Sequence, residues 1–242
     1  MKYFFLLFVL LIISCKPSKK DFTAQYIIDK SIVSSGADKV YNSEITFKFR
    51  NKKYSAKRNN GRFALTRGFD SITDVLSNNG FQRFVNETEI KITDLMASRY
   101  TNSVNSVHYF SVLPFGLNDK AVHKKRLPSS IIKGKDYYKV EITFSENGGG
   151  EDFEDVFIYW IGKQDFLVDY LAYSYHTNGG GKRFRALKDQ SIKNGIRFAN
   201  YDNYKPINKS TSLIGLDKAF ESNQLQKISE IILEDIKVNL LN

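Results

Sequence analysis

Apolar and polar residues alternate along most of the first third of the chain. In residues 44–50 the side chains of Ile45, Phe47 and Phe49 fall on one face and the charged ones on the other, as in a half-buried β-strand. Similar short segments follow at 54–57, 63–66, 71–76, 81–85 and 88–92. Asn-Gly pairs, which favour tight turns, lie between some of them. The pattern predicts an antiparallel meander.

Three segments have helical rather than strand periodicity. Asp21 is a suitable cap for a helix that starts at Phe22 and ends at Gly36. In residues 94–117 apolar side chains recur every three or four positions, which predicts an amphipathic helix that Pro114 and the following glycine would stop. A short helix is predicted near 216–222.

The second half of the chain returns to strand patterns. The predicted strands are at 130–132, 137–144, 156–161, 166–175, 183–187, 196–201 and 231–240. Residues 156–161 and 166–175 are β-prone and apolar on both faces, which is typical of central strands. Glycine-rich runs at 148–150 and 179–181 predict the loops between strands.

These elements predict one β-rich domain over residues 21–242, since no repeat, linker or low-complexity stretch divides them. The predicted fold class is mainly β (α+β). It is a single curved, half-closed antiparallel β-barrel of about ten or eleven strands, covered by two or three helices. A sheet that curls in this way tends to enclose a cavity on its concave face.

Composition adds two constraints. Of the 242 residues, 42% are hydrophobic and 14% aromatic, enough to bury a core. The net charge of +10 either solubilises the surface or attracts an anionic layer such as lipid phosphates. No nucleic-acid recognition motif is present, so we expect no nucleic-acid partner.

The amino terminus resembles a bacterial lipoprotein signal. Lys2 precedes an apolar run that is too short to span a bilayer, which needs about 20 residues, and Ser14 precedes the only cysteine, Cys15. An Ala-x-Ala-like secretory cleavage site is missing. The resemblance implies that residues 1–14 are a removed signal peptide, that Cys15 carries diacylglyceryl and N-acyl groups, and that residues 15–20 are a lipidated tether. It implies a lipid-anchored envelope protein, and the lack of an acidic residue directly after Cys15 favours the outer membrane, facing the periplasm.

Several segments together are similar to an uncharacterised family of Gram-negative lipoproteins that carries a domain of unknown function. These segments are 47–50, 104–110, 113–117, 149–157, 169–175 and 195–204. More loosely, the order of helix, meander, helix and long hairpins resembles the lipoprotein-localisation carrier fold, with the hairpin at 159–168 the most similar piece. That resemblance implies a half-closed barrel, covered by helices, whose hydrophobic cavity holds acyl chains.

Polar clusters offer little chemistry. The loop at 151–155 contains Asp152, Glu154 and Asp155, which are candidate ligands of a hard cation. The favoured interpretation of the same loop is a solvated hairpin tip that pairs with the basic residues 182–185, and a general acid–base group is a further alternative. His108 is expected to be a hydrogen-bonded core residue on an apolar helix face. We predict no catalytic residue and no cofactor besides the covalent lipid, since no nucleophile elbow or phosphate-binding loop is present.

The aromatic strand faces are the strongest functional indication. The candidate cavity residues are Phe47, Phe49, Tyr54, Phe63, Leu65, Val156, Ile158 and Trp160. They either fill a dry core or line a pocket for a lipid or another apolar ligand. The predicted function is a membrane-anchored, non-enzymatic binding or carrier module. The alternatives are a cation-dependent hydrolase that uses residues 151–155 and a structural envelope lipoprotein that binds a protein partner; the oligomeric state stays open.

Overall fold

A computed structural model of the protein describes residues 22–148, 150, 153–176 and 179–241. The predicted signal peptide, the tether, Cys15 and the expected cap Asp21 lie outside these residues. Three α-helices are present in the described part: α1 (Ala24–Ser34), α2 (Asp94–Ser111) and α3 (Leu216–Glu221). The hydroxyl of Thr23, 3.1 Å from the amide nitrogen of Tyr26, caps α1 and fixes where it begins.

The first sheet contains the predicted meander and the last strand of the chain, in the order β14-β1-β2-β3-β4-β5-β6. Its strands are β1 (Ser43–Phe49), β2 (Lys52–Asn59), β3 (Arg62–Phe69), β4 (Ile72–Ser77), β5 (Gly80–Val85), β6 (Thr88–Ile90) and β14 (Glu234–Leu240). Neighbouring strands are antiparallel throughout. Asn60 and Gly61, both with positive φ, form the turn between β2 and β3.

The second sheet has the order β13-β12-β11-β10-β9-β8-β7 and is also antiparallel. Its strands are β7 (Val122–Ile132), β8 (Lys135–Phe144), β9 (Val156–Gly162), β10 (Val168–Tyr175), β11 (Gly181–Lys193), β12 (Ile196–Pro206) and β13 (Leu225–Ile231). Only Ile232 and Leu233 separate β13 from β14, so the chain steps directly from one sheet to the other. The amide of Leu233 donates to Asn200 of β12 at 2.9 Å and fixes this junction.

The fold class agrees with the prediction: the protein is mainly β, antiparallel and half-open, with covering helices. The described part has fourteen strands rather than ten or eleven. The strand predicted at 130–132 begins already at Val122, on an edge strand whose first half is rich in basic residues and in which only Leu127 and Ile132 are buried. The strand predicted at 231–240 corresponds to β14, whereas β13 before it was not predicted, and the chain changes sheets between the two at Ile232 and Leu233.

The second sheet buries apolar residues on both faces. We call the face that carries Phe157, Tyr159 and Leu171 the inner face; α1 packs on it through Ile27 and Ile28. The outer face carries Ile158, Trp160, Tyr170 and Phe184 and packs against Leu216 and Phe220 of α3. The helix α2 lies on the first sheet, where Val104 packs against Ala56 and Leu65.

Candidate ligand cavity

A cavity of about 760 Å³ lies between α2 and the inner face of the second sheet. Its sheet wall consists of Phe144, Phe157, Tyr173, Tyr175, Arg183, Arg185, Ala199 and Tyr201. Its helix wall consists of Asn102, Asn105, Ser106, Val107, Tyr109, Phe110 and Ser111, and Phe49, Gly150, Asp155, Ile231 and Leu233 complete the lining. The volume falls within the range of about 300–1,000 Å³ that is typical of small-molecule sites.

Aromatic rings form a continuous apolar surface along the cavity. Phe157 is the centre of this surface: its ring centroid lies 5.4 Å from that of Tyr173 and 5.8 Å from that of Phe144. Phe110 of α2 approaches Tyr173 from the opposite wall, at 5.6 Å. Such contacts between rings hold the wall in place, so an apolar ligand would meet a surface that is already formed.

The helix α2 lies between the first sheet and the cavity. One of its sides packs on the sheet and the other lines the cavity. Val104 and His108, one turn apart, are buried against the first sheet. Asn105 and Ser106 lie on the side that lines the cavity and are exposed. The apolar residues whose spacing predicted this helix lie on both sides, since Val104 packs on the first sheet whereas Phe110 lines the cavity.

His108 attaches α2 to the first sheet. Its Nε2 donates to the carbonyl oxygen of Thr66 at 3.0 Å, and its ring meets Phe47 and Tyr54 edge to face. Burial lowers the pKa of His108 to about 4, and the positive charge of Arg58 acts in the same direction. The imidazole is thus neutral, and the prediction of a hydrogen-bonded core histidine is confirmed.

Two tyrosines are also neutral: Tyr109, which lines the cavity, and Tyr159, which is fully buried. The hydroxyls of Tyr109 and Tyr159 lie 3.4 Å apart. Burial raises the pKa of Tyr109 to about 12 and that of Tyr159 well above its ordinary value. These groups offer hydrogen bonds without negative charge.

Two arginines bring positive charge to the sheet wall. Arg183 and Arg185 are two residues apart on β11, so both side chains lie on the inner face. The guanidinium of Arg185 lies 4.0 Å from the ring centroid of Phe110, and its Nη2 donates to the hydroxyl of Tyr173 at 3.3 Å. That of Arg183 lies 5.0 Å from the ring centroid of Tyr175.

The sequence interpretation treated residues 182–185 only as partners of the acidic loop and so missed these arginines as cavity residues. The Arg-Phe-Arg pattern was the available signal. Alternation buries Phe184 on the outer face and places both arginines on the other. Two cations on one face of a largely apolar sheet could have indicated a polar site there.

Of the five candidate cavity residues in the first sheet, Phe49 lines the cavity. Phe47 and Tyr54 stack on each other at 5.2 Å and pack beside His108. Phe63 and Leu65 pack in the cluster that contains Val104 of α2. These four residues are separated from the cavity because α2 covers this part of the sheet.

The three candidates on β9 are on the wrong face for the cavity. Ile158 and Trp160 are buried in the outer-face cluster, at 1% and 0% exposure, and Val156 shares their face by alternation. Phe157, between them, lines the cavity. Since β9 is apolar on both faces, its residue pattern does not tell which one faces a void.

The acidic loop reaches the cavity through one residue. Asp155 lines it, is buried, and has its Oδ1 3.6 Å from Nδ1 of His176. Glu154 is exposed, and Asp152 lies outside the described residues. Within the described ranges, no three His, Cys, Asp or Glu side chains come together as a metal site.

Among residues 22–148, 150, 153–176 and 179–241, no helix combines the length and apolar character needed to cross a bilayer.

Comparisons with known proteins agree with the fold. A DUF1329 family protein from Desulfovibrio piger is 11% identical, with a TM-score of 0.53 and coverage of 89% of this chain and 92% of that one. A LolA superfamily protein from Nitrosomonas europaea is 12% identical, with a TM-score of 0.50 and coverage of 91% and 96%. A candidate outer membrane lipoprotein-sorting protein domain from Vibrio parahaemolyticus is 8% identical, with a TM-score of 0.50 and coverage of 89% and 93%.

At these identities the likeness concerns the fold alone, which is the half-open, LolA-like arrangement. A search of curated proteins found no match. The family assignment comes from the sequence itself: over residues 1–234 the chain matches, and therefore belongs to, the family of unknown function DUF6503.

Proposed function

We propose that this protein is a non-enzymatic binding or carrier module for a lipid or another apolar ligand. The observation that carries the proposal is the aromatic-lined cavity of about 760 Å³ between α2 and the inner face of the second sheet. The likeness to a LolA superfamily protein and to a candidate lipoprotein-sorting domain supports it, because both have this half-open fold.

The proposed binding mechanism is burial of an apolar chain against the aromatic wall. Each Å² of apolar surface removed from water stabilises the complex by about 25 cal/mol. Phe110, Phe157 and Tyr173 supply this surface on both sides of the cavity. The helix α2 acts as the cover, and its exposed Asn105 and Ser106 add polar groups to the cavity lining.

We further propose that the protein works at a membrane surface, anchored through acyl groups on Cys15. The sequence of residues 2–15 supports this anchor, and the DUF6503 match includes that segment. The proposed location is the cell envelope, at the outer membrane and facing the periplasm. Several acyl chains on one residue would give stable attachment.

Native mass spectrometry of residues 16–242, which contain both sheets and all three α-helices, tests the binding proposal. We expect co-purifying lipid, and displacement of an apolar dye by added lipid. Ala199→Phe, which fills the cavity from β12, should abolish both. Ile192→Phe is the matched control, since Ile192 is 69% exposed. A lipid-free mass together with equal dye binding by both variants would refute the proposal.

The anchor is tested separately by labelling cells with radioactive palmitate. The native protein should incorporate the label and sediment with membranes, whereas Cys15→Ser should do neither. Processing and membrane attachment of Cys15→Ser at native levels would overturn the anchor without affecting the cavity.

A further inference from the structure

Buried positive charges in this protein have carboxylate partners, with one exception. Five Lys or Arg residues in the described part of the chain are less than 10% exposed: Arg67, Arg83, Lys139, Arg185 and Arg197. Arg67 and Arg83 share Asp74 at 2.6 Å, Lys139 pairs with Asp217 at 2.9 Å, and Arg197 approaches Asp169 to 3.4 Å. These pairs offset the cost of removing a cation from water.

Arg185 is the exception. It is 8% exposed, yet none of the ion pairs among the described residues includes it, and its Nε has no hydrogen-bond partner there. Its contacts are the ring of Phe110 at 4.0 Å, the ring of Tyr173 at 5.4 Å and the Tyr173 hydroxyl. Cation–π contacts offset part of the lost hydration but leave a donor unsatisfied.

The surroundings of Arg185 indicate what could satisfy that donor. Its side chain lines the cavity together with Arg183, two residues away on the same face, which also forms no ion pair within the described ranges. A planar guanidinium with a free Nε–H suits an oxyanion such as a carboxylate or phosphate. Asp155, the acidic residue of the wall, is instead near His176.

We propose that the cavity selects an amphiphile with an anionic head group. The oxyanion would bind Arg185, with Arg183 as a second cation, and the acyl chain would lie along Phe157 and Phe144. This inference rests on the proposed function, since it names the class of ligand for the same cavity. It adds a charge requirement that an apolar cavity alone would not impose.

Isothermal titration of residues 16–242 with ligands of one chain length tests the charge requirement without altering the protein. We expect dodecanoate to bind about tenfold or more tightly than dodecanol, as a charge-assisted hydrogen bond in a buried site implies. Dodecyltrimethylammonium should bind more weakly than dodecanol. Inorganic phosphate alone should not displace dodecanoate at millimolar concentration; if it does, the site takes free anions and the amphiphile proposal is wrong.

Variants then assign the effect to Arg185. Arg185→Gln should weaken dodecanoate binding about tenfold or more and affect dodecanol binding much less, so that most of the preference for dodecanoate is lost. Arg62→Gln, on an exposed position of β3, is the control and should change neither. Equal binding of dodecanoate and dodecanol by the native chain would overturn the inference and leave the proposed function intact. Failure of every chain to bind would overturn the proposed function itself.

Discussion

Both faces of the second sheet carry clusters of apolar residues but are covered in different ways. On the outer face Trp160 and Phe184 are completely buried beneath the segment that contains α3. Asp217 of that segment accepts from Lys139 at 2.9 Å and from Nε1 of Trp160 at 3.2 Å. This buried ion pair holds the segment against the sheet.

The inner face is covered by packed side chains along only part of its width. α1 covers one end, and α2 covers the other at a distance that leaves the cavity open. Phe157 of the inner face lies beside a void, whereas Trp160 of the outer face lies in a packed core. The element that covers each face of β9, rather than the composition of the strand, therefore decides whether that face becomes core or binding site.

Asp217→Asn tests whether the ion pair seals the outer face and should have the largest effect. The change leaves Lys139 buried without a countercharge, so we expect the free energy of unfolding to fall by about 3–5 kcal/mol. Urea denaturation measures this. Asp235→Asn, in the exposed pair with Lys48 at 2.6 Å, is the control and should change the free energy of unfolding far less, because water and salt screen that pair. Similar losses for the two variants would contradict a sealing role.

Removing one ring from each face tests whether the two faces are packed to different degrees. Phe184→Ala should cost about 3–5 kcal/mol, because the packed outer face cannot collapse into the space. Phe157→Ala should cost less, about 1.5–3 kcal/mol for the lost apolar burial, since that ring already borders the cavity and the added cavity term is small. Thermal or urea unfolding of both variants checks this, and equal costs would show that the inner face is packed as tightly as the outer.

Much of the fold could be predicted from the sequence. Alternation at Ile45, Phe47 and Phe49, with Asn-Gly turns, is a local signal, and the meander of β1 to β5 follows it. The change of sheet at Ile232 and Leu233 could not be predicted, since it depends on a bond from Leu233 to the distant Asn200.

The site was less predictable than the fold. On β9 both Phe157 and Trp160 are apolar, so alternation does not tell which of them faces the cavity. Arg185 is buried without a carboxylate partner, and its contacts there are with Phe110 of α2 and Tyr173 of β10, which are distant in the sequence. Such a site is assembled by the tertiary structure and leaves only a faint pattern in the sequence.

The helix α2 is attached to the first sheet by a titratable residue, His108. The contacts named above for the outer face, between Asp217, Lys139 and Trp160, include no histidine. His108 has a pKa of about 4 when folded and 6.5 when unfolded. Because the unfolded chain takes up the proton first, stability is highest above pH 6.5 and falls as the pH decreases towards 4. Between pH 7 and pH 5 this residue should account for a loss of about 2 kcal/mol in the free energy of unfolding.

His108→Gln, which can still donate to the carbonyl of Thr66, should lose less stability over that range in parallel urea titrations. The carboxylates titrate alike in the native protein and in the variant. Identical slopes of unfolding free energy against pH would therefore show that His108 does not cause this pH dependence.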